Sequence, residues 1–83
     1  MTPHITVFIN EDPYLSNVLV QLVTRAGTYY DRSMARHDIG SGRVLFADEV
    51  ERNPARVIFP GIYKVQVGER DFVVTVNQSA FES

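Results

Sequence analysis

Apolar residues in this chain recur at every second position, and turn-forming residues cut that recurrence into short pieces. Ile5, Val7 and Ile9 alternate with Thr6 and Phe8, and Val18, Val20 and Leu22 with Leu19, Gln21 and Val23. Further along, Val44 and Phe46 flank Leu45; Tyr63, Val65 and Val67 alternate with Lys64 and Gln66; Phe72, Val74 and Val76 alternate with Val73 and Thr75. A period of two sends successive side chains to opposite faces of a pleated strand. The β-branched and aromatic content of these runs suits such a surface.

Between the runs stand "NEDPY", "RAG", "GSG", "FPG" and "GERD". "GERD" is short enough for a tight hairpin that pairs Tyr63–Val67 with Phe72–Val76 antiparallel. The window Tyr14–Val23 is long enough for a helix, but its valine content and the lack of a good cap after Ser16 favour a strand. No segment shows a convincing apolar stripe of helical period. The expectation is therefore an all-β fold, a single small antiparallel β-sandwich of about six to seven strands. Residues 1–77 form that domain and 78–83 a C-terminal tail. Ile5, Val7, Val20, Leu22, Val44, Phe46, Tyr63, Val65, Phe72 and Val74 are its expected core.

Strict alternation has a second consequence. If Val18, Val20 and Leu22 point inward, Leu19 and Val23 point outward, and Phe8 does so on its own strand. An outer face is ordinarily polar, so these three residues lie either under a loop or on a patch for a partner. Val57-Ile58-Phe59 is a further apolar run, and Phe81 is the one aromatic of the closing "NQSAFES". Phe8, Leu19, Val23, Val57, Phe59 and Phe81 are the candidate partner-binding residues.

Composition narrows the classes of function. Eighty-three residues make one domain, too small to hold a large internal cavity cheaply. With no cysteine, neither a disulfide framework nor a thiolate metal site is available. The formal net charge is −2, arginines and acids are interspersed, and Lys64 is the single lysine, so no basic stripe tracks a nucleic-acid backbone. The opening "MTPHITVFIN" lacks the charged and long apolar regions of a signal peptide, and no apolar run reaches the length of a membrane span. A cytosolic, soluble product is expected.

Groups able to carry chemistry are few. His37-Asp38 looks like a base with its orienting carboxylate, yet neighbours on a strand face opposite ways. His4, beside Pro3 at a strand start, reads as a solvated imidazole. "GSG" lacks the nucleophile-elbow pattern. Asp48, Glu49 and Glu51, with Asp31 and Asp38, lack the spacing of a calcium loop and read as charged surface. No catalytic residue, cofactor or metal site is assigned. Tyr29 and Tyr30 put one ring on each face of a strand, and with Phe8 they offer stacking surfaces for a sugar.

The pattern as a whole resembles the transthyretin-like β-sandwich modules of the carboxypeptidase regulatory-like and Cna-B type. That grammar is a V-x-V-x-L strand, matched by Val18, Val20 and Leu22; a G-x-V-x-F turn and strand, matched by Gly42, Val44 and Phe46; and P-G-x-Y-x-V-x-V, matched by Pro60, Gly61, Tyr63, Val65 and Val67. The likeness spans residues 5–77. It implies a scaffold in which the glycines serve turns and Tyr63 fills the space between sheets while its hydroxyl is hydrogen-bonded. The chain departs from the pattern in three places. Asp38 stands four residues before Gly42 instead of three, segment 49–59 is long, and the first strand lacks the lysine that an internal isopeptide bond requires. The related hydroxyisourate hydrolases end in Tyr-Arg-Gly-Ser, where this chain has "SAFES", so that activity is not expected.

The resulting expectation is a non-enzymatic structural protein on a large repetitive assembly, such as the decoration of a viral capsid or a tail or fibre component, carried in the virion. It would bind protein, with self-association possible, and neither nucleic acid nor membrane. The alternative is a module that binds carbohydrate or a cell surface.

Overall fold

The computed structural model describes residues 2–10 and 12–78. Its elements are β1 (His4–Ile9), α1 (Leu15–Arg25), α2 (Arg32–Gly40), β2 (Val44–Phe46), β3 (Glu49–Val50), β4 (Gly61–Val67) and β5 (Arg70–Gln78). The strands form one sheet in the order β1-β5-β4-β2-β3. β1 runs parallel to β5, and the other neighbours are antiparallel. The chain is thus sheet-rich, with the two helices packed on a single mixed sheet where a second sheet was expected.

The "GERD" hairpin is present. Gly68 and Glu69 connect Val67 to Arg70, and Tyr63 pairs with Val74 and Val65 with Phe72. Gly68 sits at a φ of 63°, a conformation that favours glycine in a two-residue connection. Gly42, which opens β2, has φ 82°. The two motifs matched at Gly42–Phe46 and Pro60–Val67 become β2 and β4, which lie side by side.

One face of the sheet is apolar and covered. Val7, Ile9, Val44, Phe46, Val65, Val67, Phe72, Val74 and Val76 point into a core closed by Leu15, Val18, Leu19, Leu22 and Val23 of α1 and Ala35 and Ile39 of α2. Ile5, Val20 and Tyr63 are only partly buried against it. The Tyr63 ring lies 4.7 Å from that of Phe46, and its hydroxyl donates to the Phe59 carbonyl at 2.8 Å.

Segment 15–25 corrects the alternation. Val18 and Leu22 satisfy both a period of two and a period of 3.6, so the strand reading survives at those positions. Leu15, Leu19 and Val23 satisfy only the helical one, and all five are buried. Leu19 and Val23, expected outside, are therefore core residues, 0% and 3% exposed. The missing cap is supplied from elsewhere. Tyr14 makes no side-chain cap; the N–H groups of Leu15 and Ser16 instead donate to the carbonyls of Arg56 (2.9 Å) and Pro54 (3.2 Å). The Ile58 N–H returns to the Pro13 carbonyl at 2.8 Å, and Tyr14 and Val57 form an isolated bridge. The long segment 51–60 is thus the N-terminal cap of α1, with Ile58 as its buried anchor.

α2 has a local cap. The Asp31 carboxylate accepts the Met34 N–H at 2.9 Å. This bond first, and then the Tyr29 hydroxyl, hold the Asp31 carboxyl below the usual carboxylate range.

Candidate interaction surface

Among the described residues, nothing covers the face of the sheet turned away from the helices. Alternation along the paired strands places Thr6 and Phe8 of β1, Val73 and Thr75 of β5, Ile62, Lys64 and Gln66 of β4, Leu45 of β2 and Val50 of β3 on it. Ile62 is 68% exposed and Val50 53%. Between them Leu45, Lys64, Gln66, Asp71 and Val73 line a shallow depression of about 280 Å³. Phe59, just before the Pro60-Gly61 turn that opens β4, is 68% exposed. Leu45, Val50 and Ile62 are thus spaced around one lysine on this face.

The sequence-derived candidates separate on this structure. Phe8, Val57 and Phe59 are exposed, whereas Leu19 and Val23 are buried and offer no surface. Phe81 lies outside the described residues. Ile62, Val50 and Leu45 were not singled out from the sequence, although the alternation through "GIYKVQV" already places Ile62 opposite Tyr63 and Val65. Of the three candidate stacking rings, Tyr30 is buried and cannot lie against a sugar, while Tyr29 is exposed on the α1–α2 connection.

Polar groups elsewhere are engaged in holding elements together. The Tyr30 hydroxyl donates to the Asp38 Oδ2 at 2.6 Å, and the Arg43 Nε lies 3.3 Å from Oδ1 of the same carboxylate. Burial, and then that hydrogen bond, push the Tyr30 hydroxyl well above the ordinary tyrosine range. Asp38 thereby ties the α1–α2 connection and the start of β2 to α2, and His37 beside it is exposed on the helix. His4 Nε2 lies 2.6 Å from the Thr75 Oγ1 across the open face. Glu51 accepts the Asn53 N–H and pairs with Arg56 at 2.8 Å, which together hold its carboxyl low. Among the described residues, no group of three or more His, Cys, Asp or Glu is placed to hold a metal ion, and no helix is long and apolar enough to cross a membrane.

No protein-family model matches the chain, and no curated protein matches it in sequence.

Proposed function

We propose that this chain is a non-enzymatic structural protein that docks through its uncovered sheet face onto a large repetitive protein assembly such as a viral capsid, tail or fibre. The observation that carries the reading is the pairing of a fully covered face with a bare one. The bare face holds Ile62 and Val50 around Lys64, and Phe59 is exposed on the approach to β4. The acid–base groups support it: Asp38 is engaged by Tyr30 and Arg43, and His37 stands apart in solvent. From the β-sandwich resemblance the reading keeps the β2–β4 unit as scaffold for this face.

The test is co-sedimentation of the isolated chain with particles purified from the source that carries its gene. The chain should pellet in a fixed ratio to the major particle protein. Ile62→Ser and Phe59→Ser should each keep the melting temperature and weaken binding by roughly 30-fold or more, the scale of an interfacial anchor. A chain that stays in the supernatant, or variants that bind unchanged, would contradict the reading.

A further inference from the structure

β1 is an edge strand. β5 occupies one side of it, and the backbone groups of His4, Thr6 and Phe8 point away from β5 toward the open side. Edge strands of soluble proteins are commonly protected by charge, proline or a bulge. None is present here: "HITVFI" has no lysine, arginine, acid or proline. It alternates regularly, with Val7 and Ile9 buried and Phe8 exposed on the other face.

One point on this edge is closed by α1. The Gln21 side-chain amide bonds to both backbone groups of Phe8, its Oε1 accepting the Phe8 N–H at 3.1 Å and its Nε2 donating to the Phe8 carbonyl at 2.6 Å. These are the two bonds that a neighbouring strand would make to a residue of that orientation. One turn along the helix, the Arg25 guanidinium lies 5.7 Å from the centre of the Phe8 ring. One turn back, Asn17 Nδ2 donates to the Asp12 carbonyl at 2.8 Å. A polar row at Asn17, Gln21 and Arg25 therefore runs along the C-terminal half of β1 and the loop that follows. Among the described residues the side-chain bonds to the β1 backbone fall on Phe8, and none reaches the outward groups of Thr6.

We infer that Gln21 is a plug on the β1 edge, and that the strand it excludes is β1 of a second copy of this chain. Self-pairing follows from the symmetry and charge of the strand. Antiparallel pairing centred on Thr6 places Thr6 against Thr6 and His4 against Phe8 at both ends, with no like charges facing each other. It also keeps Val7 and Ile9 of both copies on one side, so two sheets join into one continuous sheet. In this register a single glutamine acts twice. With Phe8 occupied in each copy, both flanking pairs are lost and only the central Thr6 pair remains. Registers that avoid Phe8 retain no more than His4 and Thr6, too short a ladder to hold two domains.

Sedimentation velocity on the full chain tests the inference. The native chain should sediment as a monomer, and Gln21→Ala as a dimer of twice the mass, with unchanged circular dichroism because alanine favours helix. Adding Thr6→Pro removes an outward N–H that β5 does not use, which an edge strand tolerates. It should return the Gln21→Ala chain to the monomer. Amide exchange gives an independent reading at low concentration. The Phe8 N–H should be protected in the native chain and should exchange at least tenfold faster in Gln21→Ala. The inference fails if folded Gln21→Ala stays monomeric at concentrations where the native chain is monomeric, or if its association survives Thr6→Pro. It fails equally if Phe8 exchange is the same in both chains.

Discussion

Leu19→Ala separates the helix-on-sheet core from an outward-facing position more sharply than any other single change. Leu19 is 0% exposed and packs in the cluster shared by α1 and the inner sheet face. Removing three carbons forfeits about 2.4 kcal/mol at roughly 0.8 kcal/mol per buried methylene. A residual cavity between helix and sheet raises the expected loss to about 3–4 kcal/mol, within the range of fully buried leucines. A chain of this length holds roughly 4–12 kcal/mol in all, so the variant should sit near the limit of folding. In urea, with a slope of about 1 kcal/mol per molar, the midpoint should fall by about 3 M at unchanged slope. Phe8→Ala, at a residue 39% exposed, should shift the midpoint less. A loss under about 1 kcal/mol for Leu19→Ala, the typical result at an exposed site, would refute the placement of α1.

Tyr30→Phe removes the hydroxyl that Asp38 accepts and should cost about 1.5–3 kcal/mol by thermal melting, the scale of a hydrogen bond to a charged group. Because the native fold raises the Tyr30 hydroxyl, its stabilising effect is complete below the unfolded value of 10.0 and is lost as pH climbs toward the native one. The native chain should therefore lose stability above pH 10 more steeply than Tyr30→Phe. At the β2–β3 turn, Ala47 and Asp48 hold φ of 55° and 70° without being glycine. Ala47→Gly should raise stability by about 0.5–1 kcal/mol in urea titration, and an unchanged midpoint would contradict the left-handed turn. Asp31 and Glu51 are held low in the folded state, so their stabilisation is present above the ordinary carboxylate values and is lost as pH falls below them through the lowered native ones. Asp31→Ala should flatten the acid limb of a pH–stability profile.

How much of this was legible depends on where each determinant sits in the chain. The β4–β5 hairpin could be read because "GERD" and both flanking alternations lie within a few residues of one another. The inner positions of β1, β2, β4 and β5 followed from the same period. α1 was obscured because Val18 and Leu22 serve either period. Its cap, the carbonyls of Pro54 and Arg56, is far away along the chain. The stripe Leu15, Val18, Leu19, Leu22 and Val23 was nevertheless present and, weighed whole, points to a helix. α2 is nine residues long with two buried apolar side chains, and its signal was Asp31 three residues before Met34. The parallel pairing of β1 with β5 joins the two ends of the described chain and leaves no local trace. The bare face could be found only once α1 and α2 were known to cover the same side of the sheet.

Hydroxyl-radical footprinting of the chain, free and bound to the purified particle, tests most directly which face docks. Ile62 marks the bare face and Phe59 the exposed approach to β4, while Tyr29 and Met34, 75% and 40% exposed, mark the helical side. Oxidation of Ile62 and Phe59 should fall several-fold on the particle while Tyr29 and Met34 react as in the free chain. Protection of Tyr29 and Met34 with Ile62 and Phe59 unchanged would contradict docking through the sheet.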